Sequence, residues 1–135
     1  MSETDPNQKT KVLLVVEDDE KVRKMFERRL TIEGFSVLTA SDGNMGLAQA
    51  LANKPHLILL DILMPGMNGL ELLQKLRSEG AWGAGVPVIL LTNVDPTDEA
   101  VNKNIAETSP AYYISKTNLD LNDLVAKIRG LLPVT

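Results

Sequence analysis

The chain has 135 residues, with 18 acids against 14 lysines and arginines, one histidine and no cysteine, for a net charge of −4. Without cysteine there is no disulfide and no thiolate metal site, and an acid excess with no basic cluster argues against nucleic acid as a direct partner. The length holds one domain with one core. The hydrophobic content of 44% suits a soluble globular chain, and no apolar stretch is long enough to insert in a bilayer.

Residues 1–10 are polar and lack the apolar segment of a signal peptide, so they read as a disordered tail ahead of a domain over 11–135, with no separate output domain. Val12–Val16 is an apolar run that reads as a buried first strand, ending in Glu17-Asp18-Asp19. From Glu20 to Glu33, Val22, Met25, Phe26 and Leu30 recur at helical spacing with arginine and lysine on the other face, and Gly34 is placed to end the helix. Phe35–Ala40 reads as a second strand. Ser41-Asp42-Gly43 opens a short helix over about Asn44–Ala52 that Lys54-Pro55 breaks. Leu57-Ile58-Leu59-Leu60 is a strand buried on both faces, which delivers Asp61 to its end just before the turn Met64-Pro65-Gly66-Met67-Asn68-Gly69.

Gly69–Glu79 is again amphipathic, and Gly80–Gly85 reads as a flexible connector. Val86–Leu91 is the fourth strand, running into Thr92, with Pro87 tolerable near its start. A helix over roughly Thr97–Glu107, a strand over Ala111–Ser115 running into Lys116, and a last helix over Leu119–Leu132 complete the chain. Five strands alternating with five helices predict an α/β fold: a flavodoxin-like, doubly wound (βα)5 domain with a five-stranded parallel sheet in the order 2-1-3-4-5.

In such sheets the binding crevice lies beyond the carboxyl ends of the strands, where strand order reverses. Here that point falls between the strands ending in Glu17-Asp18 and in Asp61. Two unit charges ~4 Å apart repel by about 4 kcal/mol at an effective dielectric near 20. Three carboxylates in one crevice must therefore protonate, splay apart or hold a cation. Hard oxygen ligands with neither histidine nor cysteine nearby point to Mg²⁺. With a hydroxyl from Thr92 and a mobile positive charge from Lys116, the set suits phosphoryl transfer.

At these residues the chain resembles the receiver domain of two-component response regulators, over roughly Lys11–Leu132. The resemblance rests on Val15-Val16-Glu17-Asp18-Asp19, on Leu60-Asp61-Ile62-Leu63-Met64-Pro65-Gly66-Met67-Asn68-Gly69, on Leu91-Thr92 and on Tyr113-Ile114-Ser115-Lys116. It implies that Asp61 accepts a phosphoryl group from a sensor histidine kinase or a phosphotransfer protein in the cytoplasm, and that the change controls binding to a downstream protein. It implies that Asp18 binds Mg²⁺ directly and Glu17 through water, and that Asp61 and the Leu63 backbone carbonyl complete the protein ligands. Thr92 and Tyr113 become switch residues, and Lys116 the lysine that binds phosphoryl oxygens. The domain then catalyses its own phosphorylation and dephosphorylation and is not otherwise an enzyme. The positions that control the lifetime of the phosphoryl group, two after Asp61 and two after Thr92, are Leu63 and Val94, both apolar.

Two positions depart from the family pattern. Thr117 stands where proline follows the lysine, commonly through a cis bond; a non-proline cis bond costs roughly 3–4 kcal/mol, so a trans bond and a re-routed loop are expected. Asn93 is larger than the usual residue after the switch threonine and is expected to crowd the pocket or add a hydrogen bond. Plainer roles compete at several positions. Asp18 and Asp19 suit a helix N-terminus, and Asp19 is expected to be a cap only. Thr92 by itself is an ordinary strand-end residue, and Tyr113 on general grounds is core. His56, at the opposite rim, is expected to be structural, and Trp82 gives no functional signal. A phosphorylation-independent adaptor and an intermediate receiver in a phosphorelay remain as alternatives. An aspartyl-phosphate phosphatase lacks its Asp-x-Asp spacing here, and a flavin site would need a phosphate-cradling loop where the acids stand.

Overall fold

The computed structural model describes residues 10–93, 110 and 112–132. The helix expected over Thr97–Glu107, Val94, and nearly all of the tail lie outside the described residues. Five strands form one parallel sheet in the order β2-β1-β3-β4-β5: β1 Val12–Val16, β2 Ser36–Ala40, β3 Leu57–Asp61, β4 Val88–Thr92 and β5 Tyr112–Ser115. The described helices are α1 Glu20–Ile32, α2 Gly43–Asn53, α3 Gly69–Arg77, α4 Gly80–Gly85 and α5 Leu121–Leu131.

Side chains alternate across the sheet and feed two cores. Leu14, Val16, Ile58, Leu60, Val88 and Leu90 pack on one face with Ala50 of α2 and Leu72, Leu73 and Leu76 of α3. Leu13, Val15, Leu57, Leu59, Ile89 and Leu91 pack on the other with Phe26 and Leu30 of α1 and Leu124, Val125 and Ile128 of α5. This is why the central strands read as unbroken apolar runs: both faces of each are covered.

Local signals place the helices. Asp19, Asp42, Asn68 and Asp120 are N-caps, each accepting a backbone N–H from the first turn of α1, α2, α3 and α5 respectively. After α1, Gly34 takes φ +99°, its N–H bonding Thr31 O while that of Phe35 bonds Leu30 O, the paired closure that needs a left-handed residue.

The structure corrects the connector. Residues Gly80–Gly85 are not an irregular linker but a short helix, α4. Glycines alone do not favour one, and tertiary contacts supply the difference. Gly83 lies so close to α3 that a Cβ there would meet Leu76 O at 2.0 Å. The Arg77 guanidinium donates to the carbonyls of Gly83 and Val86, at 2.9 and 2.7 Å, and so satisfies the C-terminal end. Trp82 packs partly buried against the α2/α3 core. Pro87 precedes β4 rather than lying in it, and its carbonyl still accepts the Ile58 N–H. The last helix starts at Leu121, after a 3-10 turn over Lys116–Asn118.

Candidate functional site

Parallel strands with residue-for-residue register bring their carboxyl ends to one rim. Val16 pairs with Leu60, so Glu17 and Asp61 leave adjacent strands side by side; Asp61 pairs with Leu91, and Thr92 with Ser115. Glu17, Asp61 and Thr92 are the buried polar side chains of the described residues, whereas Asp18 is exposed. One carboxylate oxygen each from Glu17, Asp18 and Asp61 lies within 4.8 Å of the others. From the β5 edge of the sheet, Lys116 Nζ hydrogen-bonds Glu17 Oε1 and stands 3.2 Å from Asp61 Oδ2.

Electrostatics follow from burial. Desolvation pushes the Glu17 carboxyl up to about 7 against the pull of the Lys116 hydrogen bond, and the neighbouring Asp61 charge adds to the rise. Desolvation also raises Asp61 above the usual carboxylate range, with the Lys116 charge opposing it. For Lys116, burial acts to lower the ammonium, but the Glu17 hydrogen bond and the Asp61 charge prevail and hold it above its ordinary value. One ammonium thus serves two buried acids. A hard divalent cation fits this donor set, which is all oxygen, anionic and open on the Asp18 side.

The backbone around the site is fixed by close approach. Gly69 begins α3 against the end of β3, donating its N–H to Ile62 O at 2.9 Å; a Cβ there would meet Asp61 O at 2.2 Å. The turn between them uses Pro65 and Gly66, the latter at φ +74°. Asp19 caps α1 through Val22 N at 3.1 Å, and its own N–H donates to Glu17 Oε2 at 3.2 Å. Asp19 thus does more than cap the helix: it also satisfies the buried acid beside it.

Two residues at this rim are not apparent from sequence. Helical periodicity puts Arg23 on the solvated face of α1; instead its guanidinium donates to the Glu17 carbonyl at 2.9 Å and reaches that of Asp18 at 3.4 Å. A cation one turn into the helix after an acidic strand end is the available signal. Ser115 caps the turn that carries Lys116, at which nothing but its position hints. Of the remaining expected residues, Tyr113 is half-buried against the α2/α3 core, Asn93 is exposed, and Leu63 is 57% exposed. No cis peptide occurs among the described residues, so the Lys116–Thr117 bond is trans, as the threonine implies. His56, at the other rim, accepts the Val12 N–H on Nδ1 at 3.0 Å and donates its backbone N–H to Val12 O, a purely structural tie.

The model of the response regulator receiver domain family matches residues 13–129. The chain belongs to the response regulator receiver domain family. Relatives include a probable transcriptional regulatory protein, TcrX, of Mycobacterium tuberculosis, 34% identical over 120 residues, covering 89% of this chain and 49% of TcrX. The response regulator ArlR of Staphylococcus aureus is 34% identical over 121 residues, covering 89% of this chain and 52% of ArlR. The chain thus spans about half the length of the relatives it matches. Among solved structures, a CheY-like receiver domain protein of Methanospirillum hungatei is 29% identical with a TM-score of 0.82, covering 92% of this chain and 94% of that one. The chemotaxis protein CheY4 of Vibrio cholerae, at 24% identity, shares the fold with a TM-score of 0.81, covering 91% of this chain and 99% of its own. The receiver fold and its two-component class are therefore settled, and no described helix of the receiver is long and apolar enough to cross a membrane.

Proposed function

We propose that this receiver, over residues 11–135, accepts a phosphoryl group on Asp61 in a Mg²⁺-dependent reaction, in the cytoplasm, from a sensor histidine kinase or a phosphotransfer protein. The observation that carries this reading is the placement of Lys116 Nζ 3.2 Å from Asp61, in a rim that also gathers Glu17 and Asp18. In the transfer, the bond from phosphorus to the donor's imidazole nitrogen breaks and a bond to an Asp61 carboxylate oxygen forms. A bound Mg²⁺, held by Asp18 and Asp61 with Glu17 through water and the Leu63 carbonyl, would supply charge neutralisation of the phosphoryl oxygens.

The protein's own groups do the rest. Burial holds the Asp61 carboxylate against its neighbours, and the close approach of Gly69 to the Asp61 backbone carbonyl fixes the chain that carries it. Lys116 turns from the two acids to the incoming oxygens, and the Thr92 hydroxyl, at the adjacent strand end, joins it. Because Thr92 and Ser115 are paired, movement of Thr92 and of Lys116 acts on neighbouring chain ends and on Tyr113, which lies two residues before Ser115. This biases the β4–β5 edge between two states, and a downstream protein reads the difference.

Intact-mass measurement after incubation with a small phosphodonor tests the reading. One phosphoryl group is expected with Mg²⁺ and none with a chelator. Equal labelling of Asp61→Asn and the wild type sinks the assignment, and an Asp18→Ala protein with undiminished Mg²⁺ affinity by calorimetry sinks the metal site.

A further inference from the structure

The arm that carries Lys116 is shaped by two side-chain hydroxyls. Ser115, the last residue of β5, has extended backbone, and its Oγ accepts the Thr117 N–H at 3.3 Å as the cap of the 3-10 turn Lys116–Asn118. The same Oγ lies 2.7 Å from Thr117 Oγ1, a second hydrogen bond between the two hydroxyls. The turn closes where the Leu119 N–H reaches Lys116 O at 3.4 Å, a long contact. Lys116 therefore leaves the sheet at a bend whose backbone closure is weak and whose short bond is the hydroxyl pair. Its ammonium must then reach past the end of β4 to Asp61 and Glu17.

We propose that the Ser115–Thr117 hydroxyl pair is a positioning device: it sets the bend from which Lys116 reaches Asp61. This rests on the reading of Asp61 as the phosphoacceptor. Short polar side chains that bond to backbone two residues on fix a turn locally without any help from the core. Ile114 and Leu119 anchor the chain on either side of the turn by packing on the second core, but Ser115, Lys116 and Thr117 between them are exposed or half-buried, so the bend itself is left to the hydroxyls. Removing the Ser115 hydroxyl leaves the bend free to rotate, and the lysine spends less time between the two acids. Neither hydroxyl touches Asp61 itself, so the effect runs through Lys116.

The test compares Ser115→Ala, Ser115→Thr and Thr117→Val in the full chain by two measurements. The first is the Lys116 side-chain ammonium signal in ¹⁵N-lysine-labelled protein, identified by its loss in Lys116→Arg and independent of any phosphoryl chemistry. The second is the rate of Asp61 labelling by a small phosphodonor at saturating Mg²⁺. Ser115→Ala is expected to weaken the ammonium signal through faster proton exchange and to slow labelling about fivefold, the scale of losing one side-chain cap. Ser115→Thr should restore both, and Thr117→Val should fall between. A Ser115→Ala protein with wild-type signal and rate overturns the proposal, as does a Ser115→Thr protein that restores neither. If the ammonium responds as expected but wild-type protein takes no label on Asp61, the positioning stands and the phosphoacceptor reading fails.

Discussion

Lys116 is shared between Glu17 and Asp61: its ammonium hydrogen-bonds the first and lies 3.2 Å from the second. Without a cation, this one side chain is the counter-charge for both buried acids among the described residues. The lysine and a divalent ion thus address the same excess of negative charge, and removing the lysine makes the ion matter more.

Lys116→Met, which keeps the aliphatic stem, should therefore destabilise the metal-free protein at pH 8 by up to about 3 kcal/mol, toward the lower end for a broken buried pair. The penalty should shrink toward pH 5.5, because the Lys116 bond that holds Glu17 down is gone and the acids neutralise themselves by taking up protons. Mg²⁺ should raise the melting temperature of the variant more than that of the wild type. Urea titrations at the two pH values, with and without Mg²⁺, measure this, and an equal Mg²⁺ effect in both proteins refutes the shared-charge account.

The raised Glu17 also predicts a pH dependence for the proposed cation binding. Its carboxyl rises from 4.5 to about 7 on folding, so the folded state holds that proton more tightly than the unfolded chain. The stability that Glu17 contributes to the metal-free protein is then lost as pH rises from 4.5 through about 7, the reverse of an acid whose carboxylate is stabilised by folding. A cation needs the ionised form, so its affinity should fall about tenfold per pH unit below about 7 and level off above it. Calorimetric Mg²⁺ titrations on both sides of that value give the profile. Glu17→Gln should flatten it, and a flat wild-type profile would show that Glu17 is not coupled to the cation.

Gly69→Ala tests the backbone support of Asp61. The added methyl would sit 2.2 Å from Asp61 O, and backbone rather than a yielding side chain is what it meets. Either α3 or the end of β3 must move, at a cost of roughly 1–3 kcal/mol. Phosphoryl uptake should fall with it, whereas Gly85→Ala, whose methyl meets nothing within 4 Å, should leave both near wild type. Thermal melts and mass-detected labelling of the pair separate a local effect from a general glycine effect.

The legibility of each part in the sequence depends on the kind of signal that carries it. Central strands buried on both faces leave continuous apolar runs, so β1, β3 and β4 and the acids and hydroxyl at their ends can be read directly. Caps such as Asp19 and Asn68 mark helix starts within a residue or two. Helix α4 cannot be read, because its reason for existing is tertiary: Gly83 against Leu76 O and Arg77 on the carbonyls of Gly83 and Val86. Arg23 is hidden for a related reason. Composition assigns an arginine to the solvated face, and only the folded chain shows that the Glu17 and Asp18 carbonyls lie within its reach. That Lys116 meets Glu17 as well as Asp61 is equally invisible, since the pairing depends on how the bend at Ser115 aims a long, flexible side chain.

On the proposed reading of Asp61 as the phosphoacceptor, the lifetime of its phosphoryl group is the remaining property that residues close in sequence to Asp61 and Thr92 are expected to set. Hydrolysis needs a water in line with the leaving Asp61 carboxylate, so a side chain able to hold that water speeds it. Leu63 and Val94, two after Asp61 and two after Thr92, have side chains with no hydrogen-bonding group with which to orient one, and Asn93 adds bulk next to the proposed switch residue Thr92. Leu63 is 57% exposed, so it lines the rim without filling the core. Leu63→Asn should consequently leave stability nearly unchanged, and any change in decay reports on water rather than on a cavity. We expect slow self-dephosphorylation in the wild type and faster decay with Leu63→Asn and Val94→Glu together. A positioned water supplying about 1.4 kcal/mol would give tenfold. Single-turnover decay of the phosphorylated protein in excess Mg²⁺, followed by intact mass, makes the comparison. Decay that is unchanged or slower in the double variant would mean that water access past these side chains does not govern the lifetime.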